Sequence, residues 1–267
     1  KYKIPFGNLV IGETAKRYIE MALAKNWVTE GDNVALFEEL FSKKFGWKHC
    51  IATSSGTTAG EVVWAAVREL SREHGIFSTA EIAGRGSISD DYGAVITPAC
   101  AFVATASCIT ASGLVPHFVD IDFDTLNLEI NLAEKAVGSN GVIAIQFVMN
   151  MGRSVDLDRI GRVGEEHNLP VIVDACEGHG GILHGVHTSR YGSIKAATYS
   201  FYTAHLIQGG EGGCVCTDDD ELADLCRSIK SHGRPVGTIE HEFQRIGTNA
   251  KTTEFAAAVG LSALDAF

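Results

Sequence analysis

The residues that could do chemistry fall at three junctions. Ser54-Ser55-Gly56-Thr57-Thr58-Ala59 ends an apolar stretch, KHCIATS (48–54), and opens an amphipathic one. There the first backbone N–H groups and the positive end of a helix dipole converge on one point, which suits a phosphate. The same residues serve equally well as a simple capped turn. Asp174 ends the apolar run PVIVD (170–174). Carboxyl ends of parallel strands are where α/β proteins place ligands. A carboxylate there needs a cation, a ligand or a helix end, because leaving it desolvated and unpaired is costly. Finally, Ser200-Phe201-Tyr202-Thr203-Ala204-His205 puts a hydroxyl and an imidazole after another apolar run, ahead of Gly209-Gly210-Glu211-Gly212-Gly213. Glycines permit positive φ and close backbone approach to a ligand. A lone histidine, however, is more often structural than catalytic.

Two other groups carry weaker signals. His179, His184 and His187 share a Gly-rich loop, but no carboxylate or cysteine completes a tetrahedral metal set at a recognisable spacing, so no metal is expected. Cys214 and Cys216 alternate on a strand, which points both to one face and predicts core packing.

These junctions need a scaffold. Apolar runs of strand length at 48–54, 94–97, 115–121, 142–148, 170–174, 195–200 and 213–217 alternate with helical patterns at 57–73, 103–112, 130–138, 156–167 and 219–231. That alternation predicts an α/β fold, a parallel sheet covered by helices. Asp156 reads as an N-cap, with Asn168 and Pro170 as stop signals. Two amphipathic helices, 11–25 and 32–45, precede the first strand. The stretch 75–93, rich in Gly, Ser and Asp, reads as a surface insertion. A final helix, 253–267, stops without Gly, Pro or a basic last turn, as if the chain were cut there.

The 267 residues are 45% hydrophobic and carry 22 Lys+Arg against 33 Asp+Glu, a formal charge of −11. That acidic balance speaks against nucleic acid and anionic lipid as partners. No apolar run approaches the ~20 residues that cross a bilayer, and no signal-peptide layout opens the chain. Seven scattered cysteines form no evident disulfide framework, which favours a cytoplasmic location.

Taken in order, WVTEGDNVALFEELFSKKFG, SSGTTAG, TPACAFVATA, FVDIDFDTLNLE, PVIVDACEGHG, SFYTAH…GGEGG and IGTNAKTTEFAAAVGL make the chain resemble the DegT/DnrJ/EryC1/StrS sugar aminotransferase family. The resemblance implies the large domain of a fold-type-I pyridoxal-phosphate-dependent transferase, with a mixed, mostly parallel sheet. It divides the chain into an N-terminal arm and helix (1–30), a cofactor-binding large domain (31–253) and the start of a connection (254–267) to a C-terminal small domain that is missing. It further implies that Gly56 and Thr57 hold the cofactor phosphate through backbone amides, with Ser200 adding a hydroxyl. Phe102 would stack on the pyridine ring, and Asp174 would keep the ring nitrogen protonated, which the electron-sink chemistry of the cofactor requires. Asn249 matches an asparagine that reaches the phosphate of the neighbouring subunit, implying a homodimer with a shared active site.

One position departs from the aminotransferase pattern. Where those enzymes carry the lysine that anchors the cofactor, five positions after the serine, this chain has His205. Lys195 precedes Ser200 on the strand, and Lys251 fits the basic position of the Asn249 motif. Histidine within SFY-x-AH is similar to the dehydrase branch of the family, which holds pyridoxamine 5′-phosphate non-covalently and removes the C3 hydroxyl of a nucleotide-linked 4-keto-6-deoxysugar. An imidazole of pKa about 6.5 suits proton transfer near neutral pH. Glu177, where aminotransferases usually have glutamine, would support it. Segment 231–253 contains no cysteine, unlike the iron–sulfur type of dehydrase. That favours the type in which glutamate regenerates the cofactor. The rivals are an aminotransferase whose lysine became histidine, and a non-catalytic cofactor- or sugar-binding protein.

Overall fold

The computed structural model describes residues 4, 7–74, 93–139, 141–238 and 241–267. Apart from Gly93, the expected surface insertion lies outside them. The first elements are α1 (Glu13–Ala24), α2 (Asp32–Phe45), β1 (His49–Thr53), α3 (Gly56–Glu73), β2 (Ala94–Pro98), α4 (Val103–Ala111) and β3 (Val115–Val119). Next come β4 (Ile121–Asp122), β5 (Asn127–Leu128), α5 (Ile130–Ala136), β6 (Val142–Val148), α6 (Leu157–His167) and β7 (Val171–Asp174). The chain closes with β8 (Ile182–Leu183), β9 (Val186–His187), β10 (Ile194–Ser200), β11 (Gly213–Thr217), α7 (Asp220–Lys230) and α8 (Glu254–Ala266).

Local chemistry explains the helix limits. Asp156 accepts the Arg159 N–H at 3.0 Å and starts α6, and Asn168, at φ 52°, turns the chain out of it. Ser55 and Thr58 form a reciprocal cap at the start of α3. Helix α2 has no cap of its own. Its first amides instead meet the buried carboxylate of Glu254, which accepts from Asn33 at 2.9 Å and Val34 at 3.0 Å. This tertiary cap comes from the far end of the chain and docks α8 against α2.

The main sheet has the order β1-β11-β10-β7-β6-β2-β3. It is mixed: β11 runs antiparallel between β10 and β1, and the β10-β7, β7-β6, β6-β2 and β2-β3 pairs are parallel. Two short hairpins, β4-β5 and β8-β9, lie outside it. Apolar residues cover both faces of the sheet, which is why its strands read as continuous apolar runs instead of alternating ones. Along β10, Ala196 joins the core under α3 and α7, whereas Ala197 and Tyr199 join the core under α2 and α8.

Cys214 and Cys216 share the latter face, as alternation predicts, and are fully buried. Cys50, opposite Cys216 in the β1-β11 register, brings a third thiol within 4.8 Å of the other two. The parallel strands bring the carboxyl ends of β6, β7 and β10 to one edge, where the main cavity opens.

Candidate active site

A cavity of about 730 Å³ lies at that edge, a size suited to a small-molecule ligand. Its wall combines the start of α3, Phe102 and Thr105 at the start of α4, the 150–152 turn, the end of β7 and the turn after β10. Of the residues expected to form a site, Gly56, Thr57, Phe102, Asp174, Glu177, Ser200 and His205 all line it. Asn249 does not; it is exposed and bridges to Ser231.

The α3 end is built for close approach. A Cβ on Gly56 would lie 2.6 Å from Ser200 Cβ and 3.1 Å from Cys176 Sγ, so only glycine lets the helix start reach the end of β10. Gly213 is constrained in the same way, its missing Cβ falling 2.3 Å from the Ser55 carbonyl oxygen. Ser55 Oγ accepts the Thr58 amide and the Ser55 carbonyl accepts that of Ala59, which leaves the first two amides of the helix for a ligand. Ser200 Oγ stands beside them.

Asp174 is held without being neutralised. Its carboxylate accepts the Thr105 hydroxyl at 2.9 Å and the Cys176 amide at 3.2 Å. Among the described residues no cation pairs with it. Phe102 is 72% exposed at the mouth, its ring free to cover a ligand. Glu177 accepts the Met151 amide at 2.7 Å.

His205 is half-buried. Burial pushes its pKa down, against the opposing pull of the Glu177 and Asp174 carboxylates. Its ring lies 6.2 Å from that of His179, a buried residue whose pKa burial and then the charge of His205 push down to about 3. No lysine lines the cavity among the described residues. Lys195 pairs with Asp219, and buried Lys230 bonds Glu30 at 2.7 Å and the Ala52 carbonyl at 3.0 Å. The nearby thiols are no nucleophiles, since burial raises Cys108 to about 12 and Cys176 well above its ordinary range.

Sequence reasoning missed Thr105, the Met151 amide and the place of His179. Thr105 sits 69 residues from Asp174, with no short-range spacing to tie them. The three loop histidines disperse: His187 packs on Phe45 at 4.8 Å, His184 lies 6.1 Å from Tyr191, and His179 turns toward His205.

The parallel-strand edge of this α/β domain thus carries a helix start with two free amides, a carboxylate without a cation among the described residues and an exposed Phe102 around one cavity. Residues 10–267 match the model of the DegT/DnrJ/EryC1/StrS aminotransferase family, and the chain belongs to that family. It is 29% identical to GDP-4-keto-6-deoxy-D-mannose 3-dehydratase of Yersinia pseudotuberculosis, over 97% of this chain and 66% of that protein. It is 32% identical to GDP-perosamine synthase of Caulobacter vibrioides, over 93% of this chain and 61% of that protein. Among solved structures, a histidine-to-asparagine mutant of GDP-4-keto-6-deoxymannose-3-dehydratase (ColD) with bound GDP-perosamine matches with a TM-score of 0.81. The identity is 25%, covering 98% of this chain and 67% of that one. The chain spans about 61–66% of the length of the curated relatives it matches. Those relatives carry more than one reaction name.

Proposed function

We propose that this chain belongs to an enzyme that uses pyridoxamine 5′-phosphate to remove the C3 hydroxyl of a nucleotide-linked 4-keto-6-deoxysugar, with glutamate restoring the cofactor. The observation that carries this reading is an imidazole, and no lysine among the described residues, in the wall of a cavity that otherwise suits the cofactor.

The residues fit the group. The Gly56 and Thr57 amides and the Ser200 hydroxyl converge where a phosphate would sit, in a cradle that a Cβ at Gly56 would fill. Asp174 has no cation beside it among the described residues, and would keep a pyridine nitrogen protonated. Phe102, exposed in the cavity wall, would stack on the ring. When bound, the cofactor supplies an amine for the 4-keto group and an electron sink for the bonds that break.

His205 would serve as the base at the C4′ carbon of the bound cofactor and then as the acid that protonates the C3 oxygen, which would leave as water. Burial lowers its pKa, which favours the free base. Glu177, anchored by the Met151 amide, orients the imidazole and stabilises its charged form. Asn249, outside the cavity of its own chain, would complete the phosphate site of a second copy in a homodimer.

The test begins with the purified protein, pyridoxal phosphate and glutamate, following the absorbance change to the amine form. A 4-keto-6-deoxy nucleotide sugar is then added and the product mass read. A released sugar one oxygen atom lighter than the substrate, its C3 hydroxyl replaced by hydrogen, with ammonia set free, supports the proposal. Amine incorporation with the C3 hydroxyl retained indicates an aminotransferase, a reading that similarity to the perosamine synthase favours and the imidazole disfavours. No spectral response indicates a silent binder. His205→Asn should retain cofactor binding and lose dehydration.

A further inference from the structure

His179 is the buried polar group that the proposed chemistry leaves unused. Its ring is wedged edge-on between Tyr199 at 5.5 Å and Phe201 at 6.1 Å, both at 66°. The Tyr199 hydroxyl is occupied by Ser189 and Trp47, so it does not compete for the imidazole. His179 Nδ1 accepts the Ile207 amide at 3.3 Å. An accepting Nδ1 is bare, so in the neutral ring the proton sits on Nε2. That N–H is buried and makes no hydrogen bond of good geometry among the described residues, although the Ser200 carbonyl lies near enough to favour the protonated ring. Leaving a buried donor unpaired is costly, which points to an oxygen beside it.

The neighbour on the cavity side is His205, with ring centroids 6.2 Å apart. No direct bond joins the rings, and the separation suits one bridging water with legs of about 2.9 Å each. The chemistry of His205 sets which way that water must point. A base needs a bare nitrogen toward the cofactor, so its resting proton lies on the other nitrogen, where it needs an acceptor. The His179 N–H cannot be that acceptor, because donor would face donor. A water resolves the conflict, since its oxygen accepts from both rings and its own protons remain for acceptors in the cavity, where the Glu177 and Asp174 carboxylates lie near His205.

We propose that His179 is the positioning residue of His205, its Nε2–H anchoring one water that accepts the second ring proton of His205 and holds that ring in the tautomer a base requires. The anchor does not titrate in the working range, because burial and the charge of His205 keep His179 neutral down to about pH 3, with the Ser200 carbonyl opposing. The groups around the pair are Tyr199, Tyr202, Glu177 and Asp174.

The inference rests on the base role of His205, but its test needs no turnover. Histidine-selective 15N spectra of the purified protein at about pH 8, above the ordinary imidazole pKa, are assigned by loss of the His205→Asn signal. The expected result is one dominant neutral tautomer of His205 and a water between the rings in a crystal map. His179→Phe should collapse the separation of the two His205 nitrogen shifts toward a tautomer mixture and remove the water. His179→Gln, which keeps an N–H donor, should restore both.

An unchanged His205 spectrum in a folded His179→Phe protein overturns the proposal. So does a map in which His179 Nε2 bonds the Ser200 carbonyl instead of a water. If His179→Phe does not fold, a mixed tautomer in the wild type decides against it. Dehydration with a mixed tautomer sinks this inference alone, and a single tautomer without dehydration sinks the proposed reaction alone.

Discussion

At the scale of single residues, the site is governed by which groups are allowed to carry charge. Asp174 stays without a cation among the described residues yet well held, whereas Lys195 pairs with Asp219 and buried Lys230 with Glu30 and Glu38. His179 shows the opposite case, a titratable group kept neutral by burial. Its folded pKa of about 3 lies below the ordinary 6.5. Below pH 6.5 the unfolded chain therefore gains a proton that the folded chain refuses, and stability falls by up to about 1.4 kcal/mol per pH unit. The loss continues until pH approaches 3 and is absent above 6.5. Urea denaturation across that window should show a shallower loss for His179→Gln than for the wild type. Parallel curves would contradict the buried neutral state.

At the scale of elements, the site depends on two junctions meeting. The start of α3 and the start of β11 touch through Ser55, Gly56 and Gly213, with no room for a side chain. Gly213→Ala places a Cβ 2.3 Å from a carbonyl oxygen, so the α3 turn must shift. The expected cost is about 1–3 kcal/mol of stability, the usual range for overpacking. Pyridoxamine-phosphate affinity should weaken with it, read by absorbance titration of the folded variant. The caps of α3 and α6 were legible because Ser55, Asp156 and Asn168 act on amides and carbonyls within a few residues. The β4-β5 and β8-β9 hairpins were not, because two-residue strands carry no periodicity to read.

At the scale of the whole molecule, the two ends of the chain close on each other. Glu254 in α8 caps α2, more than two hundred residues earlier, and α8 also packs on α1. Glu254→Ala leaves two amides at the start of α2 without their charged acceptor. Losing such charge-assisted bonds should cost about 2–4 kcal/mol, seen as a lower Tm with both helices loosened in hydrogen exchange. No helix is long and apolar enough to cross a membrane among the described residues. The position of β11 is likewise a whole-molecule outcome. Its apolar run, GCVCT, says strand, and only pairing with β10 and β1 makes it antiparallel.

From the amino-acid order alone came the alternation of strands and helices, the capped turns, and Gly56, Asp174, Ser200 and His205 as groups at strand ends. Each is a local property, carried by periodicity or by a bond within a few residues. Tertiary structure alone decided the order of the sheet, the hold of Thr105 on Asp174, the Cys50–Cys214–Cys216 cluster and the turn of His179 toward His205. Those contacts join residues far apart in the chain, where spacing carries no signal and only the packing of the sheet and its helices brings them together.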